Sequence, residues 1–174
     1  MVRIECLIKK SNWIMTYTKK ILNALAKTVT PEPLILYHGT TKDRLPKIKR
    51  QGLLPSHGWG MAGTKGVYLT KYKDVAKYWA KLRFLGNLQE KGDENVRMED
   101  TFFDRKFGDK SGELLSILQV TIPPNKLSNL FVDMEQAEDV GFSGEDSDWE
   151  LSLKEIGDVR YNGKIPPTWI RPIK

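Results

Sequence analysis

Two segments of the chain combine glycine with side chains that bind polar ligands. His38-Gly39-Thr40 follows an apolar run at 34–37, and Tyr68 and Thr70 follow a glycine-rich stretch at 58–66. A neutral imidazole donates and accepts hydrogen bonds with fixed geometry, and a residue without a Cβ lets a ligand reach backbone N–H and C=O groups. A single histidine after an apolar strand is usually structural, so the interpretation depends on what surrounds it.

The small number of cysteines and histidines excludes several kinds of chemistry. Cys6 is the only cysteine, and His38 and His57 are the only histidines. An internal disulfide framework, a multi-cysteine metal site and a metal held by three imidazoles are therefore excluded. We predict no metal site and a reducing compartment.

No apolar run reaches 18 residues, and the N-terminal segment lacks the unbroken apolar core of a signal peptide. A membrane-spanning helix needs about 20 apolar residues. The sequence therefore predicts a cytoplasmic protein that does not cross a membrane.

Charge is distributed unevenly along the chain. The net charge is +6, but residues 133–158 contain ten acidic side chains and one basic side chain, Lys154, which leaves the remaining residues at +15. A basic field of this size favours a nucleic acid, a phosphate-bearing nucleotide or an acidic protein as partner. An ordinary solvated surface explains the same charges equally well.

Short apolar runs predict strands, and helical spacing of apolar residues predicts helices. The predicted strands are residues 34–37, ending in a turn at 38–41, then 67–70, 114–122 and 158–161. The predicted helices are residues 16–29, 45–54 with Gly52 as the stop, a helix N-capped by Asp74, and a helix that follows a capping box of Ser147 and Glu150 and ends at Gly157.

This order of elements does not alternate as βαβ units do, so it predicts an α+β domain with a mostly antiparallel, split sheet and flanking helices. Residues 1–30 are predicted to form a helical extension, and residues 31–174 a single domain. Within that domain, residues 90–112 are polar and glycine-punctuated, which predicts a long insertion without regular structure.

An ordered series of motifs within about forty residues points to a family. The series is Leu36-Tyr37-His38-Gly39-Thr40, then Ile48 and Gly52-Leu53, then Gly66-Val67-Tyr68-Leu69-Thr70, then Ala76-Lys77-Tyr78. It resembles the NAD-binding half of the ADP-ribosyltransferase fold, in the diphtheria-toxin and poly(ADP-ribose) polymerase branch with its His-Tyr-Glu pattern. The resemblance covers residues 34–82, 113–123 and 157–170, and it implies NAD as co-substrate.

The resemblance also assigns roles to individual residues. His38 corresponds to the histidine that hydrogen-bonds the adenine-side ribose, and the Gly39 backbone to the group that holds the nicotinamide carboxamide. Tyr68 and Tyr78 are expected to stack on the nicotinamide ring. The residues expected to bind NAD are His38, Gly39, Thr40, Tyr68, Thr70 and Tyr78.

The third position of the pattern departs from the family. A glutamate normally opens a late strand and stabilises the sugar cation that forms as nicotinamide leaves, whereas this strand opens with Asp158. A carboxylate performs the same electrostatic role in glycoside hydrolysis. We predict Asp158 as the catalytic carboxylate beside His38 and Tyr68. Glu150 ranks second, because the capping box already explains it, and Glu155 near the end of the same helix is a further candidate.

The resemblance implies an enzyme that transfers ADP-ribose from NAD to a nucleic acid or an acidic protein, as a toxin, an effector or a housekeeping modifier would. Residues 90–112 and the acidic window before Asp158 are expected to recognise the acceptor.

Two alternatives stay open. The C-terminal segment 163–170 is also similar to RNA 2'-phosphotransferases, which share the fold and the His-Gly-Thr element. They need several arginines around the phosphate, and the candidates for that set are Arg44, Arg50, Arg83 and Arg160. The other alternative is a module that binds NAD or nucleic acid without turnover.

Overall fold

A seven-stranded antiparallel sheet forms the core of the unit that begins at Pro33. The structure is a computed structural model that describes residues 32–57 and 64–173, and the chain from Pro33 onward forms one compact unit. The strand order is β5-β6-β3-β1-β4-β7, with β2 paired to β3. The strands are β1 (Leu34–Thr41), β2 (Ser56–His57), β3 (Lys65–Thr70), β4 (Leu115–Ile122), β5 (Leu130–Val132), β6 (Asp158–Tyr161) and β7 (Ile170–Ile173).

Six helices flank the sheet in the described part of the chain, together with short 3-10 turns. The helices are α1 (Leu45–Gln51), α2 (Lys73–Glu90), α3 (Asp100–Phe107), α4 (Ser111–Leu114), α5 (Met134–Val140) and α6 (Trp149–Glu155). This architecture confirms the predicted α+β class with a mostly antiparallel sheet. The predicted helix at 16–29 and residues 58–63 of the glycine-rich stretch lie outside the described residues.

The pairing of β1 with β4 is the longest in the sheet, and it corrects one prediction. Residues 38–41 were predicted to be a turn, but β1 continues through them, with His38 opposite Leu118 and Thr41 opposite Leu115. The partner strand satisfies their backbone groups, which a sequence of turn-forming residues does not reveal. The extension places His38 and Gly39 inside the sheet.

The sheet is split between β1 and β3. These neighbours pair only at Tyr37 and Thr70, whereas β3 continues its pairing with β6 from Val67 to Thr70. The two halves of the sheet therefore diverge beside His38. A gap of this kind gives side chains on both strands access to a shared cavity.

Residues 90–112, predicted to lack regular structure, contain α3 and the start of α4. Phe103 is fully buried and Phe102 is 8% exposed, and they pack with Leu85 of α2 in a second apolar cluster. Phe84 meets Phe103 edge to face, with ring centroids 5.5 Å apart. The prediction failed because the two core aromatics are surrounded by charged residues on a helix of only eight residues.

Two predicted helix starts are also corrected. The long helix begins at Lys73 with Tyr72 at the N-cap, so Asp74 lies in its first turn. The predicted capping box of Ser147 and Glu150 is not formed, because Asp148 occupies the N-cap position of α6. The predicted stop at Gly52 is confirmed, and Gly52 adopts a φ of 79° there.

Gly39 has a packing role that the sequence did not show. An ideal Cβ at this position would lie 1.7 Å from the Ala76 carbonyl oxygen and 2.9 Å from the Ala80 amide nitrogen. Both atoms belong to the backbone of α2, so no side chain can move aside to make room. Strand β1 therefore rests directly on this helix.

We expect Gly39→Ala to lower the free energy of unfolding by about 1–3 kcal/mol, because overpacking forces the strand and helix apart. Urea unfolding measures the change. Gly112→Ala is the matched control, since nothing lies within 4 Å of its ideal Cβ. Equal stability of the two variants would contradict the close packing at Gly39.

Candidate functional site

A cavity of about 540 Å³ opens where β1 and β3 diverge. It is bounded by residues of α1, α2, β3, the start of α5 and the start of β6. Six of the predicted site residues line it: His38, Gly39, Thr40, Tyr68, Thr70 and Asp158. Its volume falls in the range of about 300–1,000 Å³ typical of small-molecule sites.

His38 is held in one tautomer by the backbone of β3. Its Nδ1 lies 2.9 Å from the Tyr68 carbonyl oxygen. A carbonyl oxygen only accepts, so Nδ1 carries the hydrogen and Nε2 is an acceptor. Burial lowers the pKa of His38, and the charges of Arg44 and Arg83 lower it further, against the opposing effect of this hydrogen bond. The imidazole is therefore neutral near pH 7, and its Nε2 can accept a hydrogen bond from a ligand hydroxyl.

Tyr68 uses its hydroxyl within the protein. The phenol donates a 2.6 Å hydrogen bond to the Thr64 carbonyl oxygen. Burial raises the pKa of Tyr68, and the nearby carboxylates of Glu135 and Asp133 raise it further. Because the phenol is neutral and its proton is engaged, Tyr68 offers a ligand the face of its ring.

Besides Tyr68, the cavity lining contains Tyr37 and Trp79, and Trp79 lies one position after the predicted Tyr78. Trp79 is part of the cavity lining, whereas Tyr78 is 41% exposed and is not. Their rings meet at nearly right angles with centroids 5.2 Å apart. Consecutive helical residues point about 100° apart, so a shift of one position moves a side chain to another face.

Thr70 connects β3 to the residues at the start of β6 by hydrogen bonds. Its hydroxyl donates to the Gly157 carbonyl oxygen at 3.3 Å and accepts from the Tyr72 N–H at 3.2 Å. Ser152 of α6 also donates, at 2.6 Å, to the Asp158 carbonyl oxygen. These bonds position Asp158 from both sides and assign Thr70 a structural role.

Two aspartates lie opposite each other at this end of the cavity. Val132, the last residue of β5, pairs with Val159 of β6, and continuing the antiparallel register by one residue places Asp133 opposite Asp158. Only 6% of Asp133 and 7% of Asp158 is exposed, and Oδ1 of each lacks a hydrogen-bond partner. Glu135, on α5, lines the same cavity and has an unpartnered Oε1. Unpartnered buried acceptors of this kind suit a ligand that brings hydrogen-bond donors.

The two aspartates have different electrostatic surroundings. Burial, followed by the charge of Asp158, raises the pKa of Asp133 to about 7. Burial also raises the pKa of Asp158, but the Thr70 hydroxyl and the Lys71 ammonium oppose that rise. Asp158 therefore loses its proton first, and Asp133 retains one up to a higher pH.

Asp133 and Glu135 were not predicted from the sequence. The only available signal was the acidic window, which does not separate inward-facing from outward-facing carboxylates. Glu150 and Glu155 are exposed on α6 and are not part of the cavity lining. Among the three carboxylates proposed from the sequence, Asp158 alone reaches the cavity.

Basic side chains line the cavity beside His38. Arg44, Lys47 and Arg83 all line it, and burial together with the charge of Arg44 lowers the pKa of Arg83. The cavity thus combines cations near His38 with carboxylates near Tyr68.

The other two arginines of the predicted set do not line this cavity. Arg50 is exposed on α1. Arg160 is buried and pairs with both carboxylate oxygens of Asp146, at 3.0 and 3.1 Å. Two of the four arginines therefore reach the site.

Residues 90–112, expected to recognise the acceptor, contribute no side chain to the cavity lining. Among residues 32–57 and 64–173, no group of three His, Cys, Asp or Glu side chains is arranged to hold a metal ion. In the same ranges, no helix has both the length and the apolar character needed to cross a membrane.

Comparison with known proteins identifies no relative of this chain. The chain matches no family model, no curated protein and no solved structure. The side chains that line the cavity, and their chemistry, are therefore what indicates a function.

Proposed function

We propose that the protein is an NAD-dependent ADP-ribosyltransferase, which moves ADP-ribose from NAD to a macromolecular acceptor and releases nicotinamide. The observation that carries this proposal is that His38, Tyr68 and Asp158, on three different strands, line one cavity. These are the residues that the motif series relates to the His-Tyr-Glu pattern, with aspartate in the third position.

The distribution of charge in the cavity supports a dinucleotide as ligand. A pyrophosphate carries negative charge, which Arg44, Lys47 and Arg83 would neutralise. Ribose hydroxyls are donors as well as acceptors, and they match the acceptor Nε2 of His38 and the unpartnered Oδ1 of Asp158. The cations near the imidazole and the carboxylates near Tyr68 give the ligand a direction in the cavity.

In this reaction the bond between C1' of the ribose and the nicotinamide nitrogen breaks, and its electron pair goes to nicotinamide. Positive charge then develops on the sugar, and the Asp158 carboxylate stabilises it. Tyr68 and Trp79 are the ring surfaces that orient the nicotinamide for departure. The acceptor bonds to C1' as nicotinamide leaves.

The basic remainder of the chain favours a nucleic acid or an acidic protein as acceptor, because neutralised phosphates release counterions. Action in the cytoplasm, as a toxin, an effector or a housekeeping modifier, is part of the same proposal.

The cationic side chains favour a second candidate, an RNA 2'-phosphotransferase that also consumes NAD. Arg44 and Arg83 line the cavity beside His38, where a phosphate on the RNA would bind. Loss of phosphate from an RNA with an internal 2'-phosphate, dependent on NAD, would favour this candidate over the first.

The proposal is tested by incubating the protein with NAD labelled in nicotinamide and measuring released nicotinamide. We expect the wild-type protein to release it and His38→Ala to bind NAD about 3- to 10-fold more weakly, the value of one neutral hydrogen bond. NAD binding without release would support a module without turnover, and unchanged affinity in His38→Ala would remove the proposed pocket.

Two variants of Tyr68 distinguish a role of its aromatic ring from a role of its hydroxyl group. We expect Tyr68→Ala to lose about 5-fold in kcat/KM, because stacking is worth about 1 kcal/mol. Tyr68→Phe keeps the ring and loses only the hydrogen bond to Thr64, so it should retain most of the turnover. Equal losses in both variants would contradict stacking.

Trp79 and Tyr78 are adjacent on α2, and their alanine variants form a matched pair that tests which ring contacts the ligand. We expect Trp79→Ala to weaken NAD binding by about 5- to 10-fold through lost ring contact, and Tyr78→Ala to leave it unchanged. Calorimetric titration with NAD measures both. A stronger effect at Tyr78 would restore the stacking role expected from the motif spacing.

A further inference from the structure

The cavity contains one more buried carboxyl group than stabilisation of a sugar cation requires. Asp158 is sufficient for that role, yet Asp133 stands opposite it with 6% of its surface exposed and an unpartnered Oδ1. A buried acceptor without a partner is costly for the folded state. Its place in the cavity lining indicates that a ligand or a reacting group supplies the missing donor.

The backbone position of Asp133 does not explain its carboxyl group. Asp133 is the N-cap residue of α5, and the backbone N–H groups of Gln136 and Glu135 oppose the rise of its pKa. No capping hydrogen bond of ordinary geometry forms, however, and Oδ1 has no partner. The start of α5 therefore does not use Oδ1 as a cap, and Oδ1 can accept a hydrogen bond from a group in the cavity.

The charged and titratable groups around Asp133 differ from those around Asp158, and this difference favours different roles for the two carboxyl groups. The groups that face Asp133 are Asp158 on β6, Glu135 on α5 and the neutral phenol of Tyr68 on β3, and the first two raise its pKa. Asp158 has the Thr70 hydroxyl and the Lys71 ammonium beside it, and both favour its ionised form. A carboxylate that ionises before its neighbour suits stabilisation of a cation, and a neighbour that titrates near neutrality suits proton transfer.

We propose that Asp133 is the general base of the transfer, taking the proton of the acceptor's nucleophilic group as that group attacks C1' of the nicotinamide ribose. This inference rests on the proposed function. The bond from the acceptor oxygen to C1' forms, and the bond from C1' to nicotinamide breaks with its electron pair going to nicotinamide. The acceptor proton goes to the Asp133 carboxylate, and solvent later removes it.

The proposal narrows the chemistry of the acceptor. A general base contributes only when the nucleophile has a proton to lose in the transition state. The acceptor group is therefore a neutral one such as a hydroxyl. A carboxylate, already ionised at pH 7, gains nothing from Asp133.

Azide tests this role directly, because it is an anion that attacks carbon without losing a proton. The experiment compares wild-type protein with Asp133→Asn and Asp158→Asn, and follows nicotinamide release from pH 5 to 9 with and without azide. Asp133→Asn keeps a residue that is equally favoured at an N-cap. The matched control is Asp139→Asn, an exposed aspartate on the same helix that is not part of the cavity lining.

In Asp133→Asn we expect turnover without azide to fall about 100-fold, the usual contribution of a general base, with KM for NAD unchanged. The decline of wild-type turnover on the acidic side should disappear. Azide should restore nicotinamide release and yield ADP-ribosyl azide, whereas Asp158→Asn should stay slow with azide because its defect lies in stabilising the sugar.

Two different outcomes identify which idea has failed. If wild-type protein releases nicotinamide and Asp133→Asn behaves like Asp139→Asn, or is slow with and without azide, the general base is overturned and the proposed function stands. If wild-type protein releases no nicotinamide at any pH, even with azide, the proposed function is overturned and the general base with it.

Discussion

The Asp133→Asn variant is expected to be more stable than the wild-type protein at pH 8 and nearly as stable as it at pH 4. The pKa of Asp133 is raised from 3.8 to about 7 in the folded protein, chiefly by burial. Between these values the folded protein holds a proton that the unfolded chain releases, so wild-type stability falls as pH rises. Each pKa unit corresponds to about 1.4 kcal/mol, which places the loss on the order of 4 kcal/mol above pH 7.

Asparagine imitates the neutral carboxyl group at every pH, so the variant should lose this pH dependence. Urea unfolding at pH 4, 6 and 8 measures the difference in the free energy of unfolding. Asp139→Asn, at an exposed position on α5, should change it little at any pH. A difference between Asp133→Asn and wild type that is the same at pH 4 and pH 8 would show that Asp133 does not titrate with a raised pKa.

Replacing Asp158 with asparagine is expected to lower kcat for nicotinamide release by about 100- to 1,000-fold, the usual cost of removing one group that stabilises transition-state charge. The affinity for NAD should change much less, because the positive charge on the sugar develops only as nicotinamide leaves. Single-turnover release of labelled nicotinamide and NAD titration measure the two effects separately.

The stability of Asp158→Asn provides the control for this loss. Asp158 is buried with an unpartnered Oδ1 and faces Asp133, so removing its charge should maintain or raise the melting temperature at pH 8. Glu155→Gln, exposed on α6 away from the cavity, should leave both turnover and stability unchanged. A variant of Asp158 that melts earlier and turns over slowly would indicate a structural role instead of a catalytic one.

The buried carboxyl groups of this site are expected to lower the free energy of unfolding of the protein. Two buried carboxyl groups stand opposite each other, although two apolar residues in their place would remove the desolvation penalty and the repulsion. A ligand with hydroxyl donors would satisfy their free oxygens. NAD should therefore raise the melting temperature, since a ligand that binds only the folded state stabilises it.

Elements with a strong local pattern were predictable. The strand at 158–161 has the predicted bounds, and the strand at 115–122 differs by one residue, because apolar alternation and a following Pro-Pro are local signals. The stop at Gly52 was predictable from its residue type, since its positive φ favours glycine. The helix α3 was not predictable from the sequence, because its two core aromatics become inward-facing only through packing on α2.

The sequence by itself determined the kinds of side chain available for chemistry and their order along the chain. It placed Tyr68 and Asp158 on two strands and His38 directly after a third, and it excluded cysteine frameworks. Each of these conclusions depends on residue type and on neighbours within one element.

Tertiary structure alone decided which carboxylates and which aromatic enter the cavity. Asp133 meets Asp158 because β5 and β6 pair at Val132 and Val159, and Trp79 replaces Tyr78 because α2 turns that face toward β1. Strand register and helix rotation are set by contacts between residues far apart in the chain, and a shift of one residue redirects every side chain. Local patterns carry no information about that choice.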